Sequence, residues 1–243
     1  VAAKRILSGL VFLLAGAFLA GCSAPSAQAP VVTGRDSRLE RIQNRTPDYT
    51  YQEPRTSRYG GDSIKGKTFI IDAGHGGKDP GALGKALSRL DEKQINLDTA
   101  KKVAYYLKQK GARVVMSRDD DTFIELNSRA ALAERHNADA LISIHADWCG
   151  TPSVSGASFF IARSAVGQSK RLASALEDEF RDRGLPVRGV RRADFRVLVK
   201  HSKPSTLIEL GFMSNPAEAK KLSSSSYRTK LAKAIAAGIE RAY

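Results

Sequence analysis

An α/β domain is what the sequence predicts, a sheet covered by helices on both faces, and two observations carry the prediction. From Lys65 onward, short β-branched apolar runs alternate with longer stretches whose apolar residues recur at three- and four-residue spacing. The 243 residues are also 42% hydrophobic and 26% charged, which suits one globular core and excludes a collagen, a disordered acidic tail or a multi-span membrane protein. Taken in chain order, strands are expected at Thr68–Asp72, Arg113–Ser117, Ala140–His145, Ala157–Ala162 and Thr206–Leu210. Helices are expected at Glu92–Lys110, Ile124–His136, Gln168–Arg183 and Ser226–Ala242; in the third, Leu172, Ala175, Leu176 and Phe180 form an apolar stripe. Gly111 and Gly184 fall just past two of these helices, where a C′ glycine belongs. Ligands in open α/β sheets gather outside the carboxyl ends of the strands, so His and Glu at strand ends are the first candidates for chemistry.

The segment ahead of the domain reads differently. Lys4 and Arg5 precede an apolar run, Ile6 to Ala20, too short to span a bilayer comfortably, and residues 1–21 have the shape of a signal peptide. The tetrad Leu19-Ala20-Gly21-Cys22 resembles the bacterial lipobox, which implies a diacylglycerol on the Cys22 thiol and cleavage just before it. An ordinary N-terminal anchor helix is the alternative. Ser23 resembles the residue that directs such lipoproteins to the outer membrane, facing the periplasm. Residues 22–64, with Pro25, Pro30, Pro47 and Pro54 and few aliphatic side chains, are expected to form a flexible tether. Its part from Ser23 to Gly61, a coil of about 38 residues, has an r.m.s. span of roughly 35 Å, enough to hold the 65–243 domain away from a membrane.

Lys plus Arg at 39 against Asp plus Glu at 25 gives +14, and removing Lys4 and Arg5 leaves +12. An exported basic protein meets wall and lipid anions before DNA. With no basic-aromatic module, charge alone would give only salt-sensitive binding, so no specific nucleic-acid partner is expected. Two cysteines cannot build a disulfide framework, and a lipidated Cys22 would leave Cys149 as a free thiol.

Gly61-Asp62-Ser63-Ile64-Lys65-Gly66-Lys67-Thr68 fits the phosphate-loop expression G-x-x-x-x-G-K-[ST]. Its context is wrong, because a phosphate loop follows a strand and opens a helix, whereas this one leads into a strand. The segment from Ile70 to Ala82 places His75 in a glycine-rich turn after a strand, and Ser143-Ile144-His145-Ala146-Asp147 ends another strand with a second His. Either alone reads as an ordinary polar residue. Two imidazoles at one sheet edge can converge on one ion, and zinc suits imidazole nitrogen with a carboxylate.

These residues resemble the zinc-dependent N-acetylmuramoyl-L-alanine amidases of the amidase 3 group, over roughly Thr68 to Tyr243. The marks are Ile71-Asp72-Ala73-Gly74-His75-Gly76-Gly77-Lys78-Asp79-Pro80-Gly81-Ala82, Glu92-Lys93-Gln94-Ile95-Asn96-Leu97, Ser143-Ile144-His145-Ala146 and Leu207-Ile208-Glu209-Leu210-Gly211-Phe212-Met213-Ser214-Asn215, in that order. The resemblance implies a three-layer αβα fold with a mostly parallel six-stranded sheet. It implies one zinc ion held by His75, Glu92 and His145, with Glu209 as the catalytic carboxylate, and peptidoglycan as the substrate. Three protein ligands leave a fourth zinc position for water, which the ion acidifies toward neutrality, and Glu209 would carry the proton to the leaving amine. On the residues alone, Glu92 is a solvated first-turn acid favoured by the helix dipole. Glu209, flanked by Leu207, Ile208, Leu210 and Phe212, is costly to bury unless a site requires it.

Departures mark where the carry-over stops. Asp147 stands where these amidases more often have Asn, and Cys149 follows close behind as an expected non-ligating thiol. His136 reads as a surface or capping residue, and His201 as an exposed bystander or, alternatively, a contact for substrate. Arg163 to Gly167 leads straight into a helix where some relatives carry a plugging segment, so an open groove, active without an activator, is expected. The basic run Arg188, Arg191, Arg192, Arg196 and Lys200 reads equally as a contact for stem-peptide carboxylates or as a solvated face. An enzyme cleaving the bond between N-acetylmuramic acid and L-alanine, monomeric and lipid-anchored, is therefore the leading expectation. Another zinc amidase or peptidase, or a lipid-anchored wall-binding protein without catalysis, is the alternative.

Overall fold

The computed structural model describes residues 63–84 and 90–243. The signal peptide, Cys22 and nearly all of the tether lie outside the described residues, so the boundaries at 21 and 64 are not tested by it. In chain order the elements are β1 (Thr68–Ala73), α1 (Glu92–Gln109), β2 (Arg113–Met116), α2 (Leu126–Arg135), β3 (Ala140–Asp147), β4 (Ala157–Ile161), α3 (Gln168–Asp182), β5 (Val187–Arg192), α4 (Arg196–Val199), β6 (Ser205–Phe212), α5 (Pro216–Leu222) and α6 (Ser225–Ala242). The six strands make one sheet in the order β2-β1-β3-β6-β4-β5. β2, β1, β3 and β6 are mutually parallel, and β4 and β5 are parallel to each other but run against β6.

Strand pleating divides the core in two. Phe69 and Ile71 of β1, Ile142 and Ile144 of β3 and Ile208 of β6 join Val103 and Leu107 of α1, Leu172 and Leu176 of α3, and Leu231 and Ile235 of α6. The alternate residues Ile70, Leu141 and Leu207 join Ala133 of α2 and Val197 and Leu198 of α4 on the opposite face. Three layers result, as expected. Central strands buried on both faces need continuous apolar sequence, and β1 is buried at every position.

The expected strands and helices are present, with ends shifted by one or two residues. Gly111 and Gly184 have φ of +80° and +63°, the left-handed conformation that ends α1 and α3. Three elements were not anticipated from the residues. β5 contains Gly189 and three arginines, a composition that hides a strand but suits a sheet edge, where charge discourages pairing with another chain. α4 and α5 have four and seven residues, too short for a periodic signal. Within the phosphate-loop-like segment, the described part turns at Gly66 and enters β1, with no helix after it.

Candidate metal centre

Four chain segments deliver side chains to the carboxyl ends of β1, β3 and β6. His75 follows β1 in the turn, Glu92 opens α1, and His145 and Glu209 face one another in the parallel register of β3 and β6. One ligand atom each from His75, Glu92 and His145 lies within 4.8 Å of the others. Glu92 Oε1 is 3.1 Å from His75 Nε2 and 3.1 Å from His145 Nδ1. The two rings stand edge to face, with centroids 5.0 Å apart and planes at 78°. Two imidazole nitrogens and a carboxylate oxygen converging this closely are the donor set of a catalytic-type zinc site with an open position. The structure thus brings together residues separated by 70 positions.

His75 occupies a strained backbone position, φ +60°, which a non-glycine residue adopts only where the surroundings enforce it. Arg129 of α2 is the enforcer. Its guanidinium donates to the His75 carbonyl at 2.7 Å, to Ala73 O at 2.6 Å and to Asp72 Oδ1 at 2.8 Å. Arg118 donates to Gly74 O at 2.7 Å and Lys93 O at 2.9 Å, tying the turn to the start of α1. The His75 ring is oriented by Asp79, whose Oδ2 lies 2.8 Å from Nδ1. A proton held there leaves the Nε2 lone pair facing Glu92 and the site.

Close backbone approach makes room for these rings. A Cβ on Gly74 would lie 2.3 Å from the His145 ring, and one on Gly81, at φ +65°, 2.5 Å from Glu92 Oε2. Glu92 is fixed by donors from all sides: the Ala146 N–H and Asn96 Nδ2 to Oε1, both at 3.1 Å, and the Ala82 N–H to Oε2 at 2.9 Å. Burial alone would raise its carboxyl, but the hydrogen bonds and charges of His145 and His75 hold it well below the usual carboxylate range. Burial would likewise lower His75, yet Glu92 and then Asp79 push it up to about 8.

Glu209 is half-buried, and its buried Oε2 has no hydrogen-bond partner among the described residues. Burial first, then the charges of Glu92 and Asp147, raise its carboxyl well above the ordinary value. Such an orphaned acceptor beside a potential cation site fits a carboxylate waiting for a ligand or a proton. Asp147, pushed up to about 6 mainly by burial, adds a third carboxylate. Glu218 of α5 fastens this end of β6, accepting the Phe212 N–H at 2.8 Å and the Gly156 N–H at 2.9 Å.

Of the remaining sequence candidates, Cys149 is buried and free, and it lies outside the His-Glu-His group. His136 caps the carboxyl end of α2, as expected. His201 differs from the expected exposed bystander: half-buried, its ring lies between Val197 O at 2.9 Å and the Lys203 N–H at 3.1 Å. Asp79, Arg118 and Arg129 escaped sequence reasoning. Only an acid four residues after the turn His hinted at Asp79; nothing local marked the arginines, whose partners in the site lie 25 to 57 residues away.

The Amidase_3 family, N-acetylmuramoyl-L-alanine amidase, matches residues 69–241. An uncharacterized protein of Bacillus subtilis, YqiI, is 42% identical over 187 residues, 74% of this chain and 86% of its own length. The N-acetylmuramoyl-L-alanine amidase LytC of Bacillus subtilis is 38% identical over 174 residues, 71% of this chain, which thus spans about a third (34%) of LytC. The catalytic domain of CwlV, an N-acetylmuramoyl-L-alanine amidase from Bacillus (Paenibacillus) polymyxa var. colistinus, superposes with a TM-score of 0.66 at 40% identity, covering 71% of this chain and 96% of that one.

Proposed function

The chain belongs to the N-acetylmuramoyl-L-alanine amidase family, and from that premise we propose that it hydrolyses the amide joining N-acetylmuramic acid to the L-alanine of the stem peptide in peptidoglycan. The observation that carries the proposal is the convergence of His75, Glu92 and His145 beside Glu209, whose buried Oε2 has no hydrogen-bond partner among the described residues. The three ligand residues would hold one zinc ion, which when bound supplies Lewis-acid polarisation of the amide carbonyl and acidifies a water molecule. Asp79 and Asn96 orient two of the three ligands.

Glu209 is the proton carrier. It takes the proton that the attacking water gives up as the carbon–oxygen bond forms, and delivers it to the amide nitrogen as the carbon–nitrogen bond breaks. The muramic acid keeps a carboxylate and the stem peptide leaves with a free L-alanine amine. The protein acts in the cell envelope. We place it there on a lipid anchor at Cys22, in the outer membrane facing the periplasm, with residues 22–64 as the tether of a monomeric catalytic domain; the lipobox-like tetrad and Ser23 support this.

Digestion of purified sacculi, with and without a chelator, tests the activity. Mass spectrometry should find free stem peptides beginning with an L-alanine amine, and the chelator should abolish them. Unchanged sacculi with zinc supplied would favour a wall-binding protein without catalysis, the second reading.

A further inference from the structure

The structure sorts the basic run of β5 and α4 by position and by partner. Arg192 donates to Ala162 O at 3.3 Å, Arg163 O at 2.6 Å and Ala165 O at 2.9 Å, and Arg196 to Asn127 Oδ1 at 3.2 Å. Arg191 pairs with Phe160, opposite Leu207, and so lies two residues from the level of Glu209 toward the far end of the sheet. Arg188 is placed otherwise. His145, Glu209, Ser158 and Gly189 form one row across β3, β6, β4 and β5, and because β4 and β5 run against β6, the residue before Gly189 projects to the catalytic edge.

From there the Arg188 side chain reaches back toward the site. Its Cγ passes 3.3 Å from where a Cβ on Gly156 would stand, and its guanidinium carbon lies 5.4 Å from the centre of the Phe212 ring. Phe212 is in register with Asp147, two residues beyond His145. The guanidinium is exposed and, among the described residues, has no carboxylate within ion-pair distance. Arg188 is a cation whose charge reaches Asp147 at the end of β3, so a fixed positive group on this rim faces the space beside the metal centre, where it attracts a peptide carboxylate. A planar guanidinium held against an aromatic face presents the fork that binds a carboxylate through two parallel hydrogen bonds.

We propose that Arg188 binds a carboxylate of the stem peptide, and thereby fixes the direction of the peptide in the groove and favours acidic stems; the proposal rests on the amidase reading above. β5 lies two strand spacings, about 10 Å or roughly three residues of extended peptide, from β6, and the Arg188 side chain, reaching back to Phe212 of β6, shortens this to about two residues from the cleaved bond. The site thus takes N-acylated peptides with a free carboxylate just beyond the L-alanine.

The test compares two muropeptides that differ only in a free carboxylate or a carboxamide on the residue after L-alanine, using the full chain loaded with zinc. The unaltered protein should prefer the acidic substrate. Arg188→Ala should lower kcat/KM on it about tenfold, through KM, leave the amidated substrate nearly unchanged, and be partly rescued by Arg188→Lys. In a Glu209→Gln background, Arg188→Ala should weaken equilibrium binding of the acidic muropeptide by a similar factor. Equal losses on both substrates, or no loss on either, would overturn the role of Arg188 while leaving the amidase activity standing. Failure of the unaltered protein to cleave either muropeptide would instead overturn the amidase reading, and this proposal with it.

Discussion

Glu209 and His75 show how much of the chemistry resides in single protons. Glu209 Oε2 is buried with no hydrogen-bond partner among the described residues, a position that a bound water or cation would satisfy. Glu209→Gln keeps the shape and removes the proton acceptor, so turnover should fall by about 10²–10⁴ while zinc content, measured by mass spectrometry, stays at the unaltered level. Retained turnover would remove Glu209 from the mechanism. His75 in the metal-free protein is raised from 6.5 to about 8. Its proton therefore stabilises the metal-free fold fully below about pH 6.5, and that contribution is lost as pH rises through about 8. Zinc must displace this proton, so apparent zinc affinity should weaken as pH falls below about 8, with proton release visible by calorimetry in buffers of different ionisation enthalpy. Asp79→Asn, which removes the carboxylate behind the ring, should weaken zinc binding by about tenfold or more.

At the scale of elements, β1 and α2 cooperate to hold the strained turn. The Arg129 and Asp72 side chains are 3% and 1% exposed, and Asp72 also accepts from Ser143 Oγ at 2.6 Å. Burial opposes ionisation of Asp72, but Arg129 and the hydroxyls of Ser117 and Ser143 hold its carboxyl below the ordinary 3.8, so the stability it gives is present above that pH and lost as pH falls further. Arg129→Met removes one partner and strands the other. It should destabilise the domain by about 3–5 kcal/mol, read from the urea midpoint at unchanged slope, and weaken zinc binding because the His75 carbonyl is released. A loss under 1 kcal/mol would show that water replaces the guanidinium at about no cost. α5 plays the matching part at β6, where Asn215 caps the helix and Glu218 gathers the Phe212 and Gly156 amides.

For the whole molecule, the connection between β4 and α3 is only residues 162–167 long. A connection this short is expected to carry no plugging helix, so sacculus digestion by the purified protein should proceed at the same initial rate with and without cell-envelope extract; strong stimulation would reveal an activator. The layer order and most element positions were legible in the sequence, because central strands and amphipathic helices write their burial into apolar periodicity; His75, Glu92, His145 and Glu209 were marked only by the resemblance of their motifs to a family. β5 was not, since an edge strand exposes its charges and loses that pattern, and α4 and α5 are too short to show one. By itself the sequence determined which residue types stood at strand ends and in which glycine-rich turn. Only the tertiary structure decided that Asp79 orients His75, that Arg118 and Arg129 fasten its turn, and that Arg188 rather than Arg191 or Arg192 meets the catalytic edge. Those choices depend on strand order and direction, which bring together residues tens of positions apart, and no local spacing along the chain encodes them.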